Sequence, residues 1–102
     1  MESVANLIAV VEDASSFVVH GRTTFTFYVK ASEVQNADTV VPGARYLLCI
    51  CDQGVSYAEM AVLSLIRAGQ TIIWEFDSLE SDAGYLQFDA VRSVRNTARG
   101  LL

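Results

Sequence analysis

Residues 22–30 (Arg-Thr-Thr-Phe-Thr-Phe-Tyr-Val-Lys) alternate with a period of two. Phe25, Phe27 and Val29 share one face, and Thr24, Thr26, Tyr28 and Lys30 share the other. Aromatic and β-branched side chains in strict alternation fit a pleated surface with one buried side, and no helical period accommodates them. The pattern recurs downstream. Residues 70–78 set Ile72, Trp74 and Phe76 inward against Thr71, Ile73, Glu75 and Asp77, and residues 85–91 set Leu86, Phe88 and Ala90 on an apolar face. A chain patterned this way builds its core from sheet.

The remaining segments are placed around that frame. Residues 6–12 form a short apolar run closed by the turn-prone cluster 12–16 (Glu-Asp-Ala-Ser-Ser); 17–19 form a second run, broken by His20-Gly21. Residues 31–44 read as a long connection containing Pro42-Gly43, a strong turn signal. In residues 45–52, Tyr46, Leu48 and Ile50 oppose Leu47, Cys49 and Cys51. Two apolar faces predict a central strand buried on both sides. Ser56-Tyr57-Ala58-Glu59 fits a capping box, with Ala58, Ala61, Val62, Leu65 and Ile66 on one helical side and Gly69 at the C-cap. The rival is a buried strand over 60–66, but only Val62 and Ile66 there are β-branched. A helix near 56–68 is therefore expected. Residues 79–84 read as an acidic loop.

The expected fold is mainly β (α+β): a small antiparallel barrel or curled sheet of five to six strands, with the helix between the third and fourth main strands. That order is compatible with an OB-type barrel. A single β-rich domain is expected over 1–91, followed by a basic tail or short helix over 92–102.

Composition bounds the function. A chain of 102 residues supports one core, burying roughly 65% of its extended surface. Hydrophobic residues make up 52% and charged residues 19% of the chain, against roughly 25% charged in an average domain. Small domains have more surface per volume, so the apolar excess points to a patch that another chain covers. The net charge of −5 disfavours general nucleic-acid binding and anionic membranes, which want a basic face. The charge is also segregated. Residues 52–89 carry seven acids against Arg67, whereas 90–102 carry Arg92, Arg95 and Arg99 with no acid. Glu2 stands where a secretory signal is basic, and no apolar run approaches roughly 18 residues, so a cytoplasmic protein, or one assembled into a particle there, is expected.

Motifs for chemistry are sparse. Cys49, Cys51 and His20 are three soft ligands where structural zinc wants four. Two thiols spaced two apart on a strand point the same way and do not readily bridge, so free, buried and poorly reactive cysteines are expected. A Cys–His nucleophile pair needs the imidazole within reach of a thiol, and His20 reads as a turn residue. Glu75 and Asp77 are expected to be solvated rather than a catalytic dyad, and no calcium or phosphate loop can be assembled. Phe25, Phe27, Trp74 and Phe76 belong to the core rather than to a stacking platform. No metal or cofactor is expected.

These features favour a non-enzymatic, homo-oligomeric structural subunit of a ring, shell or viral particle. The second reading is a small acidic inhibitor or immunity protein that occupies the basic site of a toxin or nucleic-acid enzyme. A thiol- or carboxylate-dependent enzyme ranks third. The expected interaction residues are Glu75, Asp77, Glu80, Asp82 and Asp89, met by Arg92, Arg95 and Arg99 with Leu101 and Leu102 of a neighbouring copy.

Overall fold

A computed structural model describes residues 4–97. The elements are β1 (Ala5–Val19), β2 (Arg22–Gln35), β3 (Arg45–Cys51), α1 (Tyr57–Leu65), β4 (Thr71–Phe76), β5 (Leu79–Asp82), β6 (Tyr85–Phe88) and β7 (Val91–Asn96). The strands form one curled half-barrel sheet in the order β5-β6-β3-β2-β1-β4-β7. The mainly-β class with one helix is as expected, with seven strands instead of five to six.

The higher count comes from bends in longer ribbons. In β4–β7, Trp74 lies opposite Val94 and Phe76 opposite Val91; in β5–β6, Leu79 lies opposite Phe88 and Asp82 opposite Tyr85. Between the two ladders the Asp77 N–H donates to the Ala90 carbonyl at 3.0 Å. Residues 71–82 and 85–96 are therefore one bent hairpin with a register shift between Glu75 and Phe76. Its first half pairs β4 with β1, and its second places β6 parallel to β3 through Leu47 and Tyr85. The pairing thus runs in a circuit around the core.

Four readings of where strands run need correction. The cluster 12–16 is no turn: β1 passes through it, with register shifts between Ile8 and Ala9 and between Val11 and Asp13 absorbing the irregularity. β2 continues to Gln35, so the connection to β3 is shorter than 31–44. Residues 79–82 are strand β5 and not an acidic loop, because Leu79 is buried and the ladder to β6 holds the segment. Residues 91–96, expected to begin a tail or helix at 92, are strand β7: Val94 is buried and opposite Trp74, and sheet pairing overrides the weak local alternation.

Inside the sheet, Trp74, Phe27, Phe76, Leu7, Leu48 and Ile50 are fully buried. A relay of rings crosses the core, from Phe25 to Phe27 at 6.4 Å, Phe27 to Trp74 at 5.3 Å, Trp74 to Phe76 at 6.3 Å and Phe76 to Phe88 at 4.9 Å. The capping box forms as expected: Ser56 Oγ accepts from the Glu59 N–H at 3.2 Å. The helix ends at Leu65, earlier than 68, and its packing face differs from the expected one. Leu63 and, just beyond the helix, Ile66 are buried, whereas Leu65 is exposed.

Two tight turns close the hairpins. His20 and Gly21 have φ of 51° and 75°, and Ala83 and Gly84 have 51° and 85°. Two successive positive φ values in a two-residue loop are the type I′ geometry, whose twist matches the flanking strands. Alanine is poorly suited to it, since its Cβ crowds the carbonyl in the left-handed region. Ala83→Asn should raise the unfolding free energy by about 0.5–1 kcal/mol, read from a urea melt; an unchanged midpoint contradicts the turn assignment.

Candidate interaction surfaces

Three surfaces stand out: the β1–β2 arm, the outer face of β2–β3–β6, and the charged groups on the bent hairpin. The arm arises because β1 pairs with β2 as far as Val19 opposite Arg22, but with β4 only over Ala5–Val10. Hydrogen bonds between Val11 and the 69–70 backbone finish that second ladder. Beyond it β1 has a free outer edge while β2 stays paired to β3 as far as Thr24, so the last rungs, Val18 opposite Thr23 and Val19 opposite Arg22, form a two-stranded tip. That is why Phe17, Val18 and Val19, consecutive in sequence, are 51%, 68% and 50% exposed. At the root, Ala14 and Ser16 of the arm, with Phe25, Phe27, Leu63 and Arg67, line a cleft of about 150 Å³ against α1.

On the outer face, cross-strand pairing sets Tyr28 opposite Leu47 and Leu47 opposite Tyr85. Tyr28 is 44% and Tyr85 55% exposed, with half-buried Leu47 between them. One rung along, Lys30 lies opposite Arg45. The Arg45 Nε donates to Glu12 at 2.8 Å, and that hydrogen bond and charge raise the guanidinium pKa above its ordinary value. At the far end Asp52 ties β2 to β3, accepting from the Thr23 N–H at 3.0 Å, with Arg22 at 3.9 Å.

Cys49 and Cys51 also lie on this outer face and are exposed, which corrects the expectation of a strand buried on both sides. β3 is covered on its Tyr46–Leu48–Ile50 face alone. The apolar outer residues are a surface, and Leu47 and the thiols were misread as core for that reason. Both thiols of the native protein should therefore react with a disulfide reagent without denaturant, each expelling one reagent thiolate; labelling only on unfolding contradicts this exposure. His20 occupies the hairpin turn, and among the described residues no three His, Cys, Asp or Glu side chains converge as a metal site.

The charged residues named from sequence are dispersed along the bent hairpin. Glu75 lies on β4 opposite Asn6 and Ser93, Glu80 opposite Gln87, and Asp82 opposite Tyr85 at the turn; Asp89 is exposed at the bend. Asp77 and Arg92 meet each other within the chain, Oδ1 to Nε at 3.2 Å. Arg95 sits opposite Ile73, beside a shallow pocket lined by Asn6, Ile8 and Glu33. Arg99, Leu101 and Leu102 lie outside the described residues. Arg92 thus finds an acidic partner on its own sheet, which removes its need for a neighbouring copy.

Sequence reasoning missed Tyr28 and Tyr85 as a pair. Their signal was available singly, as aromatics on polar faces, but their adjacency depends on the parallel β3–β6 contact. No helix of the described chain is long and apolar enough to cross a membrane. No protein-family model and no curated protein matches the chain, so its functional reading rests on these surfaces.

Proposed function

We propose that the protein is a non-enzymatic assembly module on an OB-type barrel, and that copies join through the β1–β2 arm. The barrel type is supported by the pairings: β1 with both β2 and β4, β3 parallel to β6, and a helix between β3 and β4.

The observation that carries the assembly reading is the bare ribbon tip with Phe17, Val18 and Val19 half or more exposed. Past Val11 the outer edge of β1 pairs with no strand among the described residues, and an unpaired strand edge with apolar side chains is a template for another strand. The chain's low charge content adds to this. A two-fold, antiparallel meeting of the β1 edges also separates like charges. It sets Glu12 and Asp13 of one copy toward Val18 and Val19 of the other, whereas parallel pairing would stack carboxylate on carboxylate.

Light scattering over a concentration series tests the proposal. The full chain should show at least a dimer, and Val18→Lys should shift it to the monomer with a folded circular-dichroism spectrum. Burying an unpaired ammonium there should weaken association by about 100-fold, or about 3 kcal/mol. A wild-type monomer at every concentration, or a Val18→Lys oligomer, overturns the reading.

A further inference from the structure

We infer that the outer face of β2, β3 and β6 is a binding site for single-stranded nucleic acid, with Tyr28 and Tyr85 as stacking platforms and Lys30 and Arg45 as phosphate contacts. This stands apart from the assembly reading, since it uses neither the arm tip nor a second copy.

The first observation is the row itself. Tyr28, Leu47 and Tyr85 are successive cross-strand neighbours on three adjacent strands. Strand spacing places the two tyrosine backbones about 10 Å apart, with Leu47 between them. A tyrosine on a sheet surface normally lies against neighbours or stands alone. Two rings half exposed in one row offer separate faces to successive flat groups. Bases fit this requirement whatever their identity, because each has a π-face.

The second observation is where the positive charge lies. The chain is acidic overall, yet residues 22–32 of β2 and 44–51 around β3 contain no acid. The same strands hold Arg22, Lys30 and Arg45, three of the seven bases. Lys30 and Arg45 form the next rung, about 7 Å along the strands from the tyrosine row. Among the described residues Lys30 pairs with no carboxylate, while Arg45 is held by Glu12. Asp13 lies opposite Tyr28, and Asp82 lies opposite Tyr85, so each end of the tyrosine row is acidic. Carboxylates there exclude phosphates from the ends of the row and leave the Lys30–Arg45 rung as the backbone track. The net charge disfavours indiscriminate binding of duplex, and local charge permits one strand on one face.

The geometry makes Glu12 a brake. It occupies the Arg45 guanidinium that would otherwise contact a phosphate, so its removal should tighten binding where loss of a surface acid elsewhere should not.

The experiment is anisotropy of a labelled oligothymidylate of about 15 nucleotides, a length that spans one such barrel face, with the full chain at low salt. Wild-type protein should bind, with an affinity that falls on adding salt along a log–log slope near −1.4, as for about two phosphates on a single strand. Tyr28→Ala and Tyr85→Ala should each weaken binding by about 5- to 150-fold, and Tyr28→Phe and Tyr85→Phe should restore it. Glu12→Gln should bind several-fold more tightly, and bound oligonucleotide should slow alkylation of Cys49, which neighbours Leu47 on the same face of β3. All four tyrosine substitutions are at exposed positions, and native Trp74 emission verifies the fold. Absence of binding, equal affinity for the duplex, or alanine variants that bind like wild type would overturn the inference.

Discussion

Trp74→Ala lowers the unfolding free energy by about 3–5 kcal/mol, the expected cost of deleting a fully buried large aromatic. Trp74 has no exposed surface and stands at the centre of the ring relay, 5.3 Å from Phe27 and 6.3 Å from Phe76. β4 neighbours on both sides, Leu7 of β1 and Val94 of β7, are buried too. The resulting cavity is therefore walled by ladders on both edges and cannot collapse cheaply. Against a total of about 5–15 kcal/mol for a domain, this loss takes a large share. A urea melt followed by circular dichroism measures it, since the chain's single tryptophan is the residue removed. Trp74→Phe should cost much less. The indole Nε1 is buried without a hydrogen-bond partner, so losing that N–H returns part of what the smaller ring gives up in packing. Equal losses for the two variants would mean that the relay's exact shape, and not buried volume, dominates the core.

Truncation after Val91 unfolds the protein. From sequence, residues 92–102 read as a dispensable tail, and their removal was expected to spare the domain. In the fold, Val94 is a buried core residue opposite Trp74, and 92–96 supply the outer ladder of β4. Cutting there exposes the Trp74 edge to water and orphans the β4 backbone groups that β7 satisfies, each costly when left unpaired in a partly buried setting. The Arg92–Asp77 pair goes as well, but with the two side chains 52% and 41% exposed its contribution is about 0–1 kcal/mol. The amide spectrum of the truncated chain should collapse to random-coil dispersion. A dispersed, native-like spectrum would show that β7 is an accessory strand.

The contrast between these two residues shows what a sequence discloses. Trp74 lies in 71–76, where strict alternation of six residues fixes facing without knowledge of the partner, and its inward placement was legible. Val94 lies in Arg-Ser-Val-Arg-Asn, where one apolar residue among polar ones carries no period. Its burial is decided by the strand opposite, far upstream in sequence. The outer face of β3 failed for the converse reason. Leu47, Cys49 and Cys51 are apolar and were assigned to an interior, yet none of the described residues covers them, and hydrophobicity alone does not distinguish a core face from a bare one. Strand count failed at bends: the ribbon through Glu12–Ser16 keeps its ladder despite a turn-prone composition, because register shifts take up the strain.

The parallel joint between β3 and β6 has a dynamic consequence. Elsewhere the circuit of strands is held by ladders of several rungs, but here it closes on Leu47 and Tyr85, with the Leu47 N–H donating to the Gly84 carbonyl at 2.8 Å. A seam of one rung opens at a small fraction of the global unfolding free energy. The Leu47 amide should therefore exchange with solvent deuterium much faster than its buried neighbour Leu48, even though both lie in one strand. The seam also divides the two tyrosines, Tyr28 on one side and Tyr85 on the other, so their separation changes whenever it opens. Any ligand that bridges the rings would act as a staple across the weakest joint of the curled sheet. It would slow exchange at Leu47 first and only then, through linkage, raise the melting temperature of the whole.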